Sequence, residues 1–233
     1  MKAARDPDVA VPAAILIGML VWGPNGALLF DVEQVLGLAP VDAWMVRFAL
    51  GALFVVAIPA LVIRFWTRPD DPALRKLDAW GFGLGDAKRG ALYMVVASVI
   101  GCAVMWFATS QNDAIRAEYP LFAPGPGAPP LDPARFAAYE GAYLLFFLCG
   151  EAAMRGMLLF GLERRLGAKP AIAITALIQT VWHLGKPLAE LAIAPVWGVV
   201  VGAVNLRLRS FWWMLVFHWL TNVILDLAIH YHR

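Results

Sequence analysis

Long apolar runs separated by short polar segments dominate this sequence. About 20 apolar residues are enough for a helix to cross the hydrocarbon core of a bilayer. By that measure the chain is predicted to form seven membrane-spanning helices, of which the fifth is short. They cover residues 11–30, 44–66, 90–110, 136–162, 169–184, 188–206 and 211–229. The first is interrupted by Gly23-Pro24-Asn25, which predicts a kink or a break there.

Two connecting segments are long enough to have structure of their own. Residues 67–89 mix charges with large apolar residues such as Trp80, a pattern typical of an amphipathic segment lying on the membrane surface. Residues 111–135 contain the run Pro-Gly-Pro-Gly-Ala-Pro-Pro, which predicts an irregular loop. That loop either shields a substrate or is a plain linker, and the linker is the favoured interpretation.

The amino-acid composition is typical of a protein embedded in a lipid bilayer. Hydrophobic residues make up 61% of the 233 positions and charged residues 15%, against roughly a half and a quarter in soluble domains. The net charge of +2 and the lack of a long basic tract give no indication of nucleic-acid binding. Cys102 and Cys149 both lie in apolar segments, so no disulfide framework is expected. The predicted fold class is therefore all-α, a polytopic integral membrane protein.

The helices are predicted to form one structural unit with two parts. Residues 1–135 hold the N-terminal helices, the surface segment and the loop, and residues 136–229 hold a core of four helices. Lysine and arginine predict the orientation, because cytoplasmic loops collect positive charge. With the N-terminus inside, most of these residues fall on inner segments. The predicted location is the cell membrane, with the N-terminus on the cytoplasmic side.

Charged and polar side chains interrupt three of the predicted helices. Glu151 and Arg155 are four residues apart, so on a helix both side chains share one face. His183 closes the fifth predicted helix, and His218 and Asn222 repeat the four-residue spacing in the seventh. Such residues are rare in lipid and pair or face a protein cavity. One of them alone is as often structural as functional, but five on three helices favour a shared cavity.

Other polar residues of the apolar segments have simpler explanations. Asp226 and His230 are near the outer end of the seventh predicted helix, where an interfacial position is expected. Arg47 begins its helix and can extend its side chain to the surface. None of the three is assigned to the site.

The order of the intramembrane motifs resembles that of a known family of membrane peptidases. The chain resembles the CAAX protease and bacteriocin-processing family in three features that follow in the same order. They are the Glu-x-x-x-Arg-Gly motif at 151–156, His183, and the His-x-x-x-Asn motif at 218–222. Its members are described as glutamic-type intramembrane endopeptidases and also as membrane metalloproteases. The resemblance covers residues 136–227 and implies an enzyme that cleaves a peptide or a protein tail near the membrane.

The sequence departs from the family pattern at two positions. The family has two adjacent glutamates in its first motif, and Gly150 stands in place of the first, which the resemblance would make the general base. Gln179 stands where the family usually has a phenylalanine. Three interpretations follow from Gly150. Glu151 has taken over the role of the base, or Cys149 is a nucleophile as in membrane-embedded sorting transpeptidases, or the chain is an inactive binding or scaffold protein.

Hydrolysis of a peptide bond needs a base that activates water and donors that hold the oxyanion. The favoured assignment has Glu151 and His183 activating water and Arg155 orienting the carboxylate. His218 and Asn222 then hold the oxyanion. Glu151, His183 and His218 also have the side-chain types of a zinc site, but a short ligand spacing such as His-Glu-x-x-His is missing. We therefore expect no cofactor, with a divalent metal as the alternative. The expected partners are membrane lipids and a peptide or protein substrate that is lipid-modified or membrane-anchored.

Overall fold

Helices account for the regular secondary structure of the described part of the chain. The computed structural model describes residues 5–22, 32–67, 71–122 and 132–231, and no β-strand occurs in these ranges. The helices are α1 (Pro7–Trp22), α2 (Val32–Leu36), α3 (Pro40–Trp66), α4 (Ala87–Gln111), α5 (Asp113–Glu118), α6 (Pro133–Leu166), α7 (Ala168–Trp182), α8 (Leu188–Leu208) and α9 (Trp212–Tyr231). Two short 3₁₀ helices, Pro72–Arg75 and Leu77–Trp80, lie between α3 and α4.

The predicted all-α, polytopic membrane fold is confirmed. Within the described ranges, α3, α4, α6, α8 and α9 are long and apolar enough to cross a membrane. Helices α1 and α7 lie where the first and fifth spanning helices are predicted, but they have only 16 and 15 residues. The number of seven spanning helices therefore stays a prediction. The break at Gly23-Pro24-Asn25 lies outside the described residues, as does the Pro- and Gly-rich run of the long loop.

Helix α6 is the central helix of the bundle, and α4 is an outer one. In its most apolar window α6 has 67% of its residues buried, whereas the figure for α4 is 6%. Aromatic side chains fill the contact between α6 and α3, where the rings of Tyr143 and Phe48 stack with their centroids 4.6 Å apart. The apolar surface of α4 therefore faces lipid, while α6 faces protein on most of its circumference.

An eight-residue segment in the middle of α6 is wound as a π-helix. The π segment runs from Glu151 to Leu158, and every residue from Glu151 to Met157 is buried. A π-helical stretch changes the direction in which the following side chains point, and such stretches are frequent at functional sites. The predicted Glu-x-x-x-Arg motif thus lies on an irregular helical segment in the protein interior.

Helices α7 and α8 approach closely because small residues lie between them, as the Gly-rich sequence of α8 predicts. A Cβ atom added to Gly198 would lie 2.7 Å from the Cα atom of Ala176. Gln179, one turn beyond Ala176 on α7, contacts the same glycine position. The close approach therefore fixes the part of α7 that ends at His183.

Ion pairs at the two ends of the bundle join residues that the orientation rule places on the same side of the membrane. At one end, Arg165 at the end of α6 lies 2.7 Å from Asp8 in α1, measured from Nε to Oδ2. At the other end, Nζ of Lys186 lies 2.6 Å from Oε1 of Glu118. The grouping of charges agrees with the predicted topology, while the inside location of the N-terminus and the division at residue 135 stay predictions.

The segment between α3 and α4 packs on protein more than the sequence predicts. Trp80 is fully buried, and the guanidinium of Arg164 lies 4.0 Å from the centroid of its ring. The backbone N–H of Phe211 donates to the carbonyl of Gly81 at 3.2 Å. These contacts hold the segment against the ends of α6 and α9, so Trp80 packs on the bundle end, whereas Leu84 is exposed.

The contact between α7 and α8 can be tested with two glycines of α8. Gly198→Ala is expected to lower the free energy of unfolding by about 1–3 kcal/mol, because the added methyl group overlaps Ala176. Gly202→Ala is the matched control, since a Cβ atom there would lie 3.5 Å from Ile172, an ordinary contact. Thermal unfolding in detergent micelles measures both variants. Equal stability of the two variants would contradict the close approach.

Candidate active site

A cavity of about 390 Å³ lies in the bundle between α4, α6, α7, α8 and α9. Its wall includes all five residues predicted for the site, namely Glu151, Arg155, His183, His218 and Asn222. Most of the remaining wall is apolar or aromatic, with Phe147, Trp182, Trp197 and Phe217 among the large side chains. The structure therefore brings the predicted residues of three helices to one cavity.

Glu151 and Arg155 form a buried ion pair within the π segment of α6. Their side chains are 1% and 5% exposed, and Nη1 of Arg155 donates to Oε1 of Glu151. Nη2 of Arg155 donates to Oε1 of Gln179 on α7. A buried charge is destabilising unless it is paired and hydrogen-bonded. The departure from the family pattern at Gln179 thus has a structural role, because a phenylalanine there could not accept from Arg155.

His218 is the second partner of the Glu151 carboxylate. Its Nδ1 atom lies 3.0 Å from Oε1 of Glu151. The imidazole packs against Phe147 and Trp197, with ring centroids 4.6 and 5.3 Å away. An ionised carboxylate only accepts hydrogen bonds, so Nδ1 carries the proton and donates it. That leaves Nε2 as the ring nitrogen of His218 that can take a proton.

His183 reaches the same cavity from the end of α7. Its Nδ1 atom lies 2.8 Å from the backbone carbonyl oxygen of Gln179, which is an acceptor, so Nδ1 is again the protonated nitrogen. The ring is half-buried and forms part of the cavity wall. Asn222 is buried one turn after His218 on α9 and presents a carboxamide beside the histidines. The site therefore combines two imidazoles, a carboxamide and an ion-paired carboxylate.

Two buried carboxyl groups beside the site were missed by the sequence analysis. Asp226 is 3% exposed and thus buried in protein, while its interfacial depth in the membrane stays a prediction. Ile115 and Tyr119, in and just after α5, pack against the same end of α9 and cover it. Glu140, on α6, is 4% exposed and was not considered at all. Asp226 follows Asn222 by four residues, so it lies on the same face of α9 as His218 and Asn222. This spacing could have identified Asp226 as a neighbour of the site.

Cys149 is part of the cavity wall, but its thiol is hydrogen-bonded to its own helix. The side chain is fully buried, and its Sγ atom lies 2.9 Å from the backbone oxygen of Leu145. A thiol in this position donates its hydrogen to its own helix.

A divalent metal ion remains the alternative to a metal-free site. In the described ranges, no group of three or more His, Cys, Asp or Glu side chains is placed to hold a metal ion. We therefore draw no step of the reaction through a metal ion.

Comparison with known proteins supports the resemblance found in the motifs. Residues 134–224 match the family described as type II CAAX prenyl endopeptidase Rce1-like. The matched segment begins at the start of α6 and includes all five predicted site residues, and it confirms the resemblance to CAAX proteases. No curated protein and no solved structure matches the chain.

The Glu151–Arg155 pair makes a prediction about stability. Arg155→Met is expected to lower the free energy of unfolding by about 3–5 kcal/mol, because the Glu151 carboxylate would stay buried without its cation. The double variant Glu151→Gln/Arg155→Met removes both charges and should recover much of that loss in thermal unfolding. Arg165→Met is the matched control, expected to change stability little, because that ion pair is half-exposed. A double variant less stable than Arg155→Met would contradict the pairing.

Proposed function

We propose that this protein is an intramembrane endopeptidase that cleaves a peptide or a protein tail at the membrane, using water activated by His218 and Glu151. The family match supports a CAAX-type membrane protease in general terms. The observation that carries the mechanism is the contact between Nδ1 of His218 and Oε1 of Glu151 in the wall of the cavity.

In this mechanism Glu151 orients His218 and does not itself take a proton from water. Oε1 of Glu151 accepts from Arg155 and from His218, and the adjacent guanidinium favours the ionised carboxylate over the protonated one. A carboxylate that holds Nδ1–H of an imidazole fixes the tautomer and stabilises the positive ring formed when Nε2 takes a proton. This assignment differs from the sequence-based one, in which Glu151 and His183 activate water and His218 holds the oxyanion.

The second imidazole and the carboxamide complete the reaction. His183 has its proton on Nδ1, so its Nε2 atom can accept one hydrogen of the water while His218 takes the other. The water oxygen then attacks the carbonyl carbon, and an N–H of Asn222 donates to the oxyanion. When the C–N bond breaks, His218 returns its proton to the departing amine. Arg155 remains the cation that keeps Glu151 ionised in the interior.

The cavity walls support a substrate with apolar character. Phe147, Trp182 and Trp197 are part of the wall, and burial of apolar groups against such side chains is favourable. We propose a membrane-anchored or lipid-modified peptide or protein as the substrate. The multi-pass fold supports a reaction within a membrane, and we propose the cell membrane with the N-terminus inside.

A second candidate function is favoured by Gly150. Since the family pattern has a glutamate at this position, a chain without it fits a protein that binds a peptide and does not cleave it. The thiol mechanism has less support, because the thiol of Cys149, although it is part of the cavity wall, donates to its own helix.

Activity measurements separate these functions. His218→Ala and Glu151→Ala are each expected to lower kcat by about 10² to 10⁴, the range for loss of acid–base catalysis. The assay is cleavage of quenched fluorescent peptides, with and without a prenyl group, by protein reconstituted in liposomes. Cys149→Ser is the control and is expected to cleave as the wild type does. Full cleavage by both alanine variants would contradict the mechanism, and loss of activity in Cys149→Ser alone would favour the thiol.

The missing glutamate can be restored. A Cβ atom on Gly150 would have no neighbour within 4 Å, and this position is part of the cavity wall. Gly150→Glu is therefore expected to fold and to raise kcat by about 10- to 100-fold, because it adds a second acid–base group beside the water. Gly150→Gln has the same size without the charge and is the matched control. Equal rates for the two variants would show that a carboxylate at this position does not limit the reaction.

A further inference from the structure

The end of the cavity next to α5 carries charged side chains that the proposed reaction does not use. Tyr119, Lys186 and Glu190 belong to the cavity wall there. Tyr119 directly follows α5, Lys186 lies between α7 and α8, and Glu190 is in the first turn of α8. The backbone N–H of Lys186 donates to the carbonyl of His183 at 3.1 Å. This end of the cavity therefore adjoins a proposed catalytic histidine.

The positive charge of Lys186 is already compensated by protein. Its Nζ atom lies 2.6 Å from Oε1 of Glu118, the last residue of α5. The same ammonium lies 5.1 Å from the centroid of the Tyr119 ring. The Lys186 side chain is 15% exposed, so the pair is better shielded from water than an ion pair on an open surface. Lys186 therefore has its counter-charge in place without Glu190.

Glu190 is a carboxyl group of the cavity wall with one oxygen left over. Its Oε2 atom accepts from the hydroxyl of Tyr119 at 2.9 Å. Its Oε1 atom is buried and has no hydrogen-bond partner among the described residues. From Tyr119 to Leu131 the sequence has no charged residue that could pair with it. An acceptor that is buried without a donor is unfavourable, and an ionisable group within a membrane protein typically has a function.

The charges at this end of the cavity indicate which group would complete the contact. Glu118 and Glu190 bring two carboxyl groups and Lys186 brings one ammonium. An ionised Glu190 thus leaves one negative charge in excess. A cation that enters from the cavity would neutralise this charge and supply the missing donor to Oε1.

We propose that Glu190 binds a lysine or arginine side chain of the substrate at this end of the cavity. The cationic head donates to Oε1, while its apolar stem packs on the apolar part of the wall. Tyr119 holds the carboxyl group in place through Oε2. Glu190 determines specificity and takes no part in the chemical steps, and this role rests on the proposed peptidase function.

The first test uses the wild-type protein in liposomes and quenched fluorescent, prenylated peptides that differ at one position. Lysine is placed at each position around the scissile bond in turn and compared with norleucine, which has the same stem without the ammonium. At one position lysine is expected to raise kcat/KM about tenfold, the size of one hydrogen bond to a charged group. Glutamate there is expected to lower kcat/KM below the norleucine value, because like charges repel each other.

Two substitutions then assign the preference to Glu190. Glu190→Gln keeps the size and an acceptor for Tyr119, and it should cleave the lysine and norleucine peptides equally well. Glu190→Lys should reverse the preference, so that the glutamate peptide becomes the best of the three. Glu163→Gln is the matched control, expected to keep the preference for lysine, because that carboxyl group pairs with Arg209 and is not among the described residues of the wall.

Several results would overturn the role of Glu190. They are the same kcat/KM for lysine and norleucine at every position, a full lysine preference in Glu190→Gln, and an equal loss for both peptides in that variant. Failure of the peptidase function is a different result, in which the wild type cleaves none of the peptides. Binding of the labelled peptides, measured by fluorescence anisotropy, then decides. A lower Kd for lysine than for norleucine that is lost in Glu190→Gln supports the role, and equal Kd values in the wild type overturn it.

Discussion

The buried carboxylate of Glu151 is the constraint on which the site depends. An ionised carboxyl group in the middle of an apolar bundle is stable only with charged or hydrogen-bonding partners. Arg155 supplies the cation from the same helix, and His218 supplies a donor from α9. Gln179 on α7 then satisfies the second nitrogen of the guanidinium. One charge thereby fixes the relative positions of three helices, and the cavity lies where they meet.

The rest of the bundle is arranged so that this polar contact stays out of lipid. Helix α6 carries the charge and is surrounded by protein, while α4 presents an apolar surface outward. The closeness of α7 to α8 at Gly198 brings Gln179 within reach of Arg155. Aromatic rings of Phe147 and Trp197 flank His218. In lipid, where apolar burial between helices gains little, small residues and polar contacts of this kind hold helices together.

Much of the candidate site could be predicted from the sequence because it lies in two short motifs. Residues four apart on a helix share a face, so Glu151 with Arg155 and His218 with Asn222 could be paired without any structure. Gln179 and Glu140 could not be found in this way. The hydrogen bond of Gln179 and the burial of Glu140 depend on residues of other helices, and the sequence does not say which faces of two helices meet. The burial of Asp226 was likewise not predicted, because position along a helix does not show that α5 packs against that end of α9.

The sequence alone determined the class of the protein and the polar positions within its apolar segments, because hydropathy and helical spacing are local properties of the chain. The tertiary structure decided which of these groups touch. It placed His218, and not only Arg155, on the Glu151 carboxylate, and it turned Trp80 inward under Arg164. It also wound α6 as a π-helix from Glu151 to Leu158. These features arise from contacts between distant segments, and no pattern within a single helix contains them.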